Sequence, residues 1–192
     1  RDDEEFTLNF SSGGCMNAAE PSIATAEKEI SVYAERVDRM IGMAQTLIHT
    51  KEKSEEYNTL LSRVEKYEDI SDRMELEIAH YLNRCAEGRL SNEGKLKIAA
   101  MLNIISEIES IADCCMGISK IMNRKIEAAA VFPQEVYDNI DTMYAYVKQA
   151  MKLMMAQLTD MESVSGKSLI ESYNKEREIN NCLLYTSDAA DD

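Results

Sequence analysis

The sequence predicts an all-α protein, an antiparallel bundle of long helices. Three observations carry this. Apolar residues recur at alternating gaps of three and four along four successive stretches of roughly thirty residues. Turn formers are scarce, with 7 Gly and 2 Pro among 192 residues and no proline between Pro21 and Pro133. Hydrophobic residues make up 45% of the chain, enough to fill a core, whereas a β-sandwich or barrel would need a turn about every ten positions.

The first long helix is expected to open near Pro21-Ser22, since proline suits a first turn. Its seam reads Ile23, Ala26, Ile30, Tyr33, Val37, Met40, Ala44 and Leu47. Ser54 is a good N-cap for a second helix, with Glu55 and Glu56 well placed against the positive end of the helix dipole. That seam runs Tyr57, Leu60, Val64, Tyr67, Ser71, Met74, Ile78, Tyr81 and Cys85, and Gly88 is expected to end it. A third helix, capped by Ser91, carries Ile98, Met101, Ile105, Ile108, Ala112, Cys115, Ile118 and Met122 and fades through Ala128-Ala129-Ala130. Pro133 opens a fourth, with Val136, Ile140, Met143, Val147, Met151, Met154 and Leu158 turned inward. A fifth segment starts near Ser168. Helices of about 45 Å joined by short links must run antiparallel to their neighbours. Four organisational units follow: a linker over residues 1–20, a three-helix unit over 21–130, an incomplete second unit over 131–181, and a tail over 182–192.

Charge narrows the partners. The formal net charge is −14, from 35 acidic and 21 basic residues. Such a surface repels phosphodiester backbones, so nucleic-acid binding is not expected. No stretch reaches the roughly twenty apolar residues of a membrane span, and the best candidate, Ile98 to Ile105, is interrupted by Asn103. The chain begins with Arg1 and is read as a piece of a longer protein. Its last eleven residues, Cys182 to Asp192, lack helical period and resemble the translation of a transposon-type sequencing adapter, so they are set aside as an artefact. Without Cys182, the remaining Cys15, Cys85, Cys114 and Cys115 show no C-x-x-C spacing and read as reduced thiols, most of them packed in the core.

Two acidic pairs stand out. Glu68 and Asp72 lie four apart on the second helix, beside its apolar seam, with Glu65 and Glu75 extending the stripe. Glu109 and Asp113 repeat the spacing on the third. Chance alone supplies roughly six such pairs in a chain this acidic, so spacing by itself decides little. Position adds weight, because like charges flanking a buried seam are costly unless a cation or an Arg or Lys side chain neutralises them. If the helices run side by side, the four carboxylates face one another and offer hard oxygen ligands to Mg²⁺, Ca²⁺, Mn²⁺, iron or zinc. Glu77-Ile78-Ala79-His80 matches the Glu-x-x-His spacing of di-iron bundles, but no second copy exists, and His80 reads as a partly exposed bundle residue. Cys115 and the methionines Met151, Met154 and Met155 read as bundle interior. No Gly-rich phosphate loop, G-x-S-x-G or Ser/His/Asp set is present, and an enzyme is not expected.

The block from Val64 to Leu82, containing Glu68-Asp69-Ile70-Ser71-Asp72, followed by Glu107-Ile-Glu-Ser-Ile-Ala-Asp113, resembles the PhoU domain, a family marked by an E(D)xxxD motif and built of two tandem three-helix bundles. The stretch from Asp3 to Leu8, with Ala26 to Ile30 and Glu35 to Met40, is similar to the juncture between membrane domain and PhoU-like tail in bacterial sodium/phosphate cotransporters, notably those of Bacteroidetes. The likeness spans nearly all of residues 1–181. It implies a regulatory domain at the cytoplasmic face of the inner membrane, modulating sodium-coupled phosphate import by an upstream transmembrane domain, with a regulatory protein or a second copy as a further partner. A free-standing, metal-binding PhoU-type negative regulator of phosphate uptake and signalling is the alternative. Carried over by motif, the ligands for iron, zinc or another divalent metal are Glu68, Asp72, Glu109 and Asp113. Ser110 and Ala112 stand where the family's third-helix motif commonly has Arg and Gly. The second unit's equivalent motif falls at Glu176 to Asn180, where an amide replaces an acid.

Overall fold

The computed structural model describes residues 19–159, which form four helices: α1 (Ala19–His49), α2 (Glu55–Ala86), α3 (Asn92–Glu127) and α4 (Gln134–Thr159). There is no strand among the described residues. The bulk of the 1–20 linker, the segment from Ser168, the Glu176 to Asn180 motif, Cys15, Cys182 and the adapter-like tail lie outside the described residues. Among those described, no helix is long and apolar enough to cross a membrane.

Local chemistry sets the helix ends. Ser54 and Ser91 both cap as their positions predict, each extended in backbone and accepting a hydrogen bond through Oγ, from the Tyr57 and Gly94 amides respectively at 3.0 Å. α1 starts two residues ahead of Pro21, which therefore sits in the first turn, where its missing N–H leaves no helical bond unmade. α2 ends just ahead of Gly88, as expected, but without a left-handed cap. Its last residue is Ala86, its C-cap Glu87 is right-handed, and Gly88 donates its amide to the Cys85 carbonyl without entering the left-handed region. α3 does use a left-handed cap, but the residue is an alanine. Ala129 has φ 51°, its amide bonds the Ile126 carbonyl, and the Ala130 amide bonds the Lys125 carbonyl. This is a Schellman closure built without glycine.

Helices α1, α2 and α3 each pack against the other two. Neighbouring groups give their directions. Tyr57 near the start of α2 and Glu127 at the end of α3 are electrostatic neighbours, as are Glu75 and Glu109 further along, so α2 and α3 run antiparallel. α1 and α3 start together. A Cβ on the buried Gly94 would stand 3.5 Å from Ile23 Cδ1, so the opening turn of α3 lies against the opening turn of α1.

The predicted α1 seam is entirely buried, joined by Ala34, Ile41 and Ile48. On α2, Leu60 and Tyr81 are only half-buried, while Ile70 and Leu82 go inside. On α3 the predicted seam holds except for the half-buried Ile118, with Met116 and Ser119 added. Cys85 and Cys115 are buried free thiols, and Cys114 is an exposed one.

α4 departs from expectation. Only Tyr144, Met151 and Leu158 are buried, a line with a spacing of seven, and Val136, Ile140, Met143, Val147 and Met154 are half-buried. The reason is the neighbours: among the described residues the α4 backbone comes close to α1, while α3 reaches it through side chains such as Cys115 beside Tyr144 and Lys125 over Tyr137. One closely packed neighbour gives one narrow contact line, so a stripe wide enough for a bundle interior is only partly covered. Gln45 and His49 of α1 anchor the junction by donating to Asp141 Oδ1 at 3.2 and 2.9 Å, and Lys148 donates to Gln45 Oε1 at 3.2 Å.

Candidate functional site

The acidic pairs of α2 and α3 meet. Because the two helices are antiparallel and share a seam, residues four apart on one face of each are brought opposite one another. Glu68 and Asp72 from α2 and Asp113 from α3 each offer a carboxylate oxygen, and these oxygens lie within 4.8 Å of one another. Glu68 is half-buried, and Asp72 and Asp113 are exposed. The fourth predicted residue, Glu109, is set beside the trio rather than within it. Its carboxyl shares a hydrogen bond with Asp113 and has Glu75 and Asp72 as electrostatic neighbours. Glu75, a stripe residue, thus belongs to the cluster, whereas Glu65 lies further along, beside Lys120 and Arg124. Lys120 of α3 is the cation that most offsets the charge on Glu68.

The electrostatics follow from this crowding. Partial burial is the first cause that lifts the Glu68 carboxyl above its ordinary range, and Asp72 and Asp69 add to it. Glu109 is also raised, first by burial and then by Asp113 and Glu75. Both carboxylates therefore carry an electrostatic penalty at neutral pH.

Beneath the cluster lies a buried polar pair. Ser71, which directly precedes Asp72, is 2% exposed, and its Oγ is 2.8 Å from the Tyr33 hydroxyl of α1. Burial drives the Tyr33 phenol far above its usual range, Ser71 partly offsets this, and Glu75, Glu109 and Asp72 raise it further. The pair ties α1 to the turn of α2 that carries the acids. Ser71 was legible as a seam residue; its partner was not, because a tyrosine at a seam position reads as packing volume.

The donor set fits a hard divalent cation. Metal–oxygen distances of about 2.1 Å for Mg²⁺ and about 2.4 Å for Ca²⁺ put opposite ligands about 4.2 to 4.8 Å apart. Three carboxylate oxygens within 4.8 Å can therefore converge on one such ion with small side-chain adjustments. Glu77 and His80 are both exposed, so the Glu-x-x-His element does not aim into the bundle core. Cys115 is unsuited to ligation, since burial, then the neighbouring Cys114, holds its thiol up at about 12.

A second group of residues, not singled out in the sequence, comes together where the α1–α2 and α3–α4 links meet. Lys51, Lys53, Lys125, Phe132 and Tyr137 line an open cleft there of about 590 Å³. It is separate from the acidic cluster and shares no residue with it.

Comparison with known proteins adds no identification: no family model, curated protein or solved structure matches the chain.

Proposed function

We propose that this chain is a PhoU-like regulatory domain of a sodium-dependent phosphate cotransporter, acting at the cytoplasmic face of the inner membrane, and that a divalent cation held by its acidic flank is part of the control. The observation that supports this reading is the convergence of Glu68, Asp72 and Asp113, with Glu109 alongside, on facing turns of two antiparallel helices. These are the four positions that the motif resemblance nominates as ligands. A cation here would neutralise carboxylates that repel one another and so bind α2 to α3. The Tyr33–Ser71 contact carries the position of that turn to α1, the helix nearest the proposed membrane domain in the chain. Cation occupancy and the state of the transporter would then be linked, each altering the other by the same coupling free energy.

The test is sodium-dependent phosphate uptake by the full-length transporter, compared with a version lacking residues 21–181. The expected result is altered basal uptake or a lost response to external phosphate. Identical uptake and an identical phosphate response in the two versions would overturn the regulatory reading.

A further inference from the structure

The cleft where the two links meet differs from the rest of this acidic protein. Lys51, Lys53 and Lys125 line it together with a single carboxylate, Glu52, in a chain of net charge −14. Lys53 is committed to Glu127 at 2.8 Å. Lys51 and Lys125 have no carboxylate partner among the described residues. Lys125 is held instead over two aromatic rings, its Nζ 5.4 Å from the centroid of Tyr137 and 5.6 Å from that of Phe132, within cation–π range. The rings are tilted by 49° with centroids 6.4 Å apart, and both line the cleft. Beside them Val131 is 88% exposed, an uncovered apolar residue at the rim.

The cleft therefore joins unneutralised ammonium groups to an aromatic and aliphatic wall. Its volume of about 590 Å³ lies in the ordinary range for small-molecule sites. A simple inorganic anion would use the lysines and leave the rings idle, and an apolar ligand would leave the lysines unpaired. A molecule carrying several negative charges on one end and a flat π-system on the other uses both. We propose that this cleft binds a nucleoside polyphosphate, with its phosphates on Lys51 and Lys125 and its base against Phe132 and Tyr137. Lys53 contributes positive potential from within its ion pair. The acidic cluster plays no part, so this site stands or falls independently of the cation reading above.

The experiment is calorimetric titration of the purified chain with ATP, with GTP, with adenosine and with tripolyphosphate, all with EDTA present so that no metal bridges to the carboxylates. ATP and GTP are expected to bind at one site per chain, each at least about tenfold tighter than adenosine or tripolyphosphate. Lys51→Glu and Lys125→Glu should each weaken ATP by about tenfold or more, the loss of a charge-assisted contact. Phe132→Ala should weaken ATP by about tenfold and leave tripolyphosphate unchanged, as loss of a stacking partner does. Lys51 is exposed, so its substitution does not endanger folding, and circular dichroism checks the other two. The proposal is overturned if ATP and GTP show no saturable binding at millimolar concentration, if tripolyphosphate binds as tightly as ATP, or if Lys51→Glu binds ATP like the parent chain.

Discussion

α2 and α4 have equally regular apolar stripes and different fates. α2 sits between two partners, and nine of its residues are fully buried. Among the described residues, the α4 backbone packs closely against α1, with α3 reaching it through side chains such as Cys115 beside Tyr144, and three of its residues are buried, although its stripe contains as many large apolar side chains. The difference shows that periodicity sets which face of a helix turns inward, while the number of neighbours sets how much of that face is covered. The same contrast separates the tightly closed α1–α3 unit from the half-covered flank of α4.

The most direct way to break this contrast is to truncate side chains on each helix. Leu82→Ala, in the three-way core, should cost about 2–5 kcal/mol of unfolding free energy, and Met154→Ala, on the half-covered face of α4, under about 1.5 kcal/mol. Urea unfolding measures both, and equal losses would refute the neighbour argument.

The buried polar pair offers a sharper probe of the three-helix unit. Tyr33→Phe leaves the Ser71 hydroxyl buried without its partner and should cost about 1–3 kcal/mol, while adding Ser71→Ala should recover part of that loss. A double-mutant cycle with no coupling would show that the contact ties nothing together.

At the boundary between the two regions, Ala129→Gly should stabilise the protein by about 1 kcal/mol, because glycine accepts the left-handed backbone that alanine adopts only with strain. A loss of stability would mean that the cap geometry is not maintained in solution.

The smallest effect is the pH dependence of the acidic flank. Glu68 and Glu109 titrate above their unfolded values, so in that window the folded state binds more protons than the unfolded one. Stability contributed by these groups therefore falls as pH rises from the ordinary glutamate range towards neutrality. Asp141, held low first by the hydrogen bond from His49, acts oppositely: its contribution is lost as pH falls through its depressed value. Midpoint temperatures measured between pH 4 and 8 should peak on the acid side of neutrality. Glu68→Gln together with Glu109→Gln should flatten the neutral side of that profile and raise stability at pH 7.5 by under about 1 kcal/mol, since water screens the cluster.

Much of this architecture can be read from residue order. The seams of α1 to α3 and both serine caps depend on spacing and local hydrogen bonding, which a sequence displays. Tertiary choices are less visible. Leu82 is buried and Tyr81 half-buried because the turn at that point of α2 faces two helices, and adjacent apolar residues offer no way to choose between them. Ala129 took the left-handed cap in a run of three alanines because the α3–α4 link needs a reversal there, against the preference for glycine. The acidic site was legible in three of its four predicted residues as one cluster. Glu109 lies a turn away from the trio, paired to Asp113, an offset set by helix register rather than by spacing. The lysine-lined cleft joins residues more than seventy positions apart from two links, and no motif marks it.

The carboxylates of α2 and α3 are proposed to form one divalent-cation site. Titration of the purified chain with Mn²⁺ at pH 7.5, followed by electron paramagnetic resonance of the free ion, tests it most directly. One bound Mn²⁺ per chain is expected, abolished in the Asp72→Asn, Asp113→Asn double variant while the helical signal is retained. Absence of saturable Mn²⁺ binding, or undiminished binding by the double variant, would contradict it.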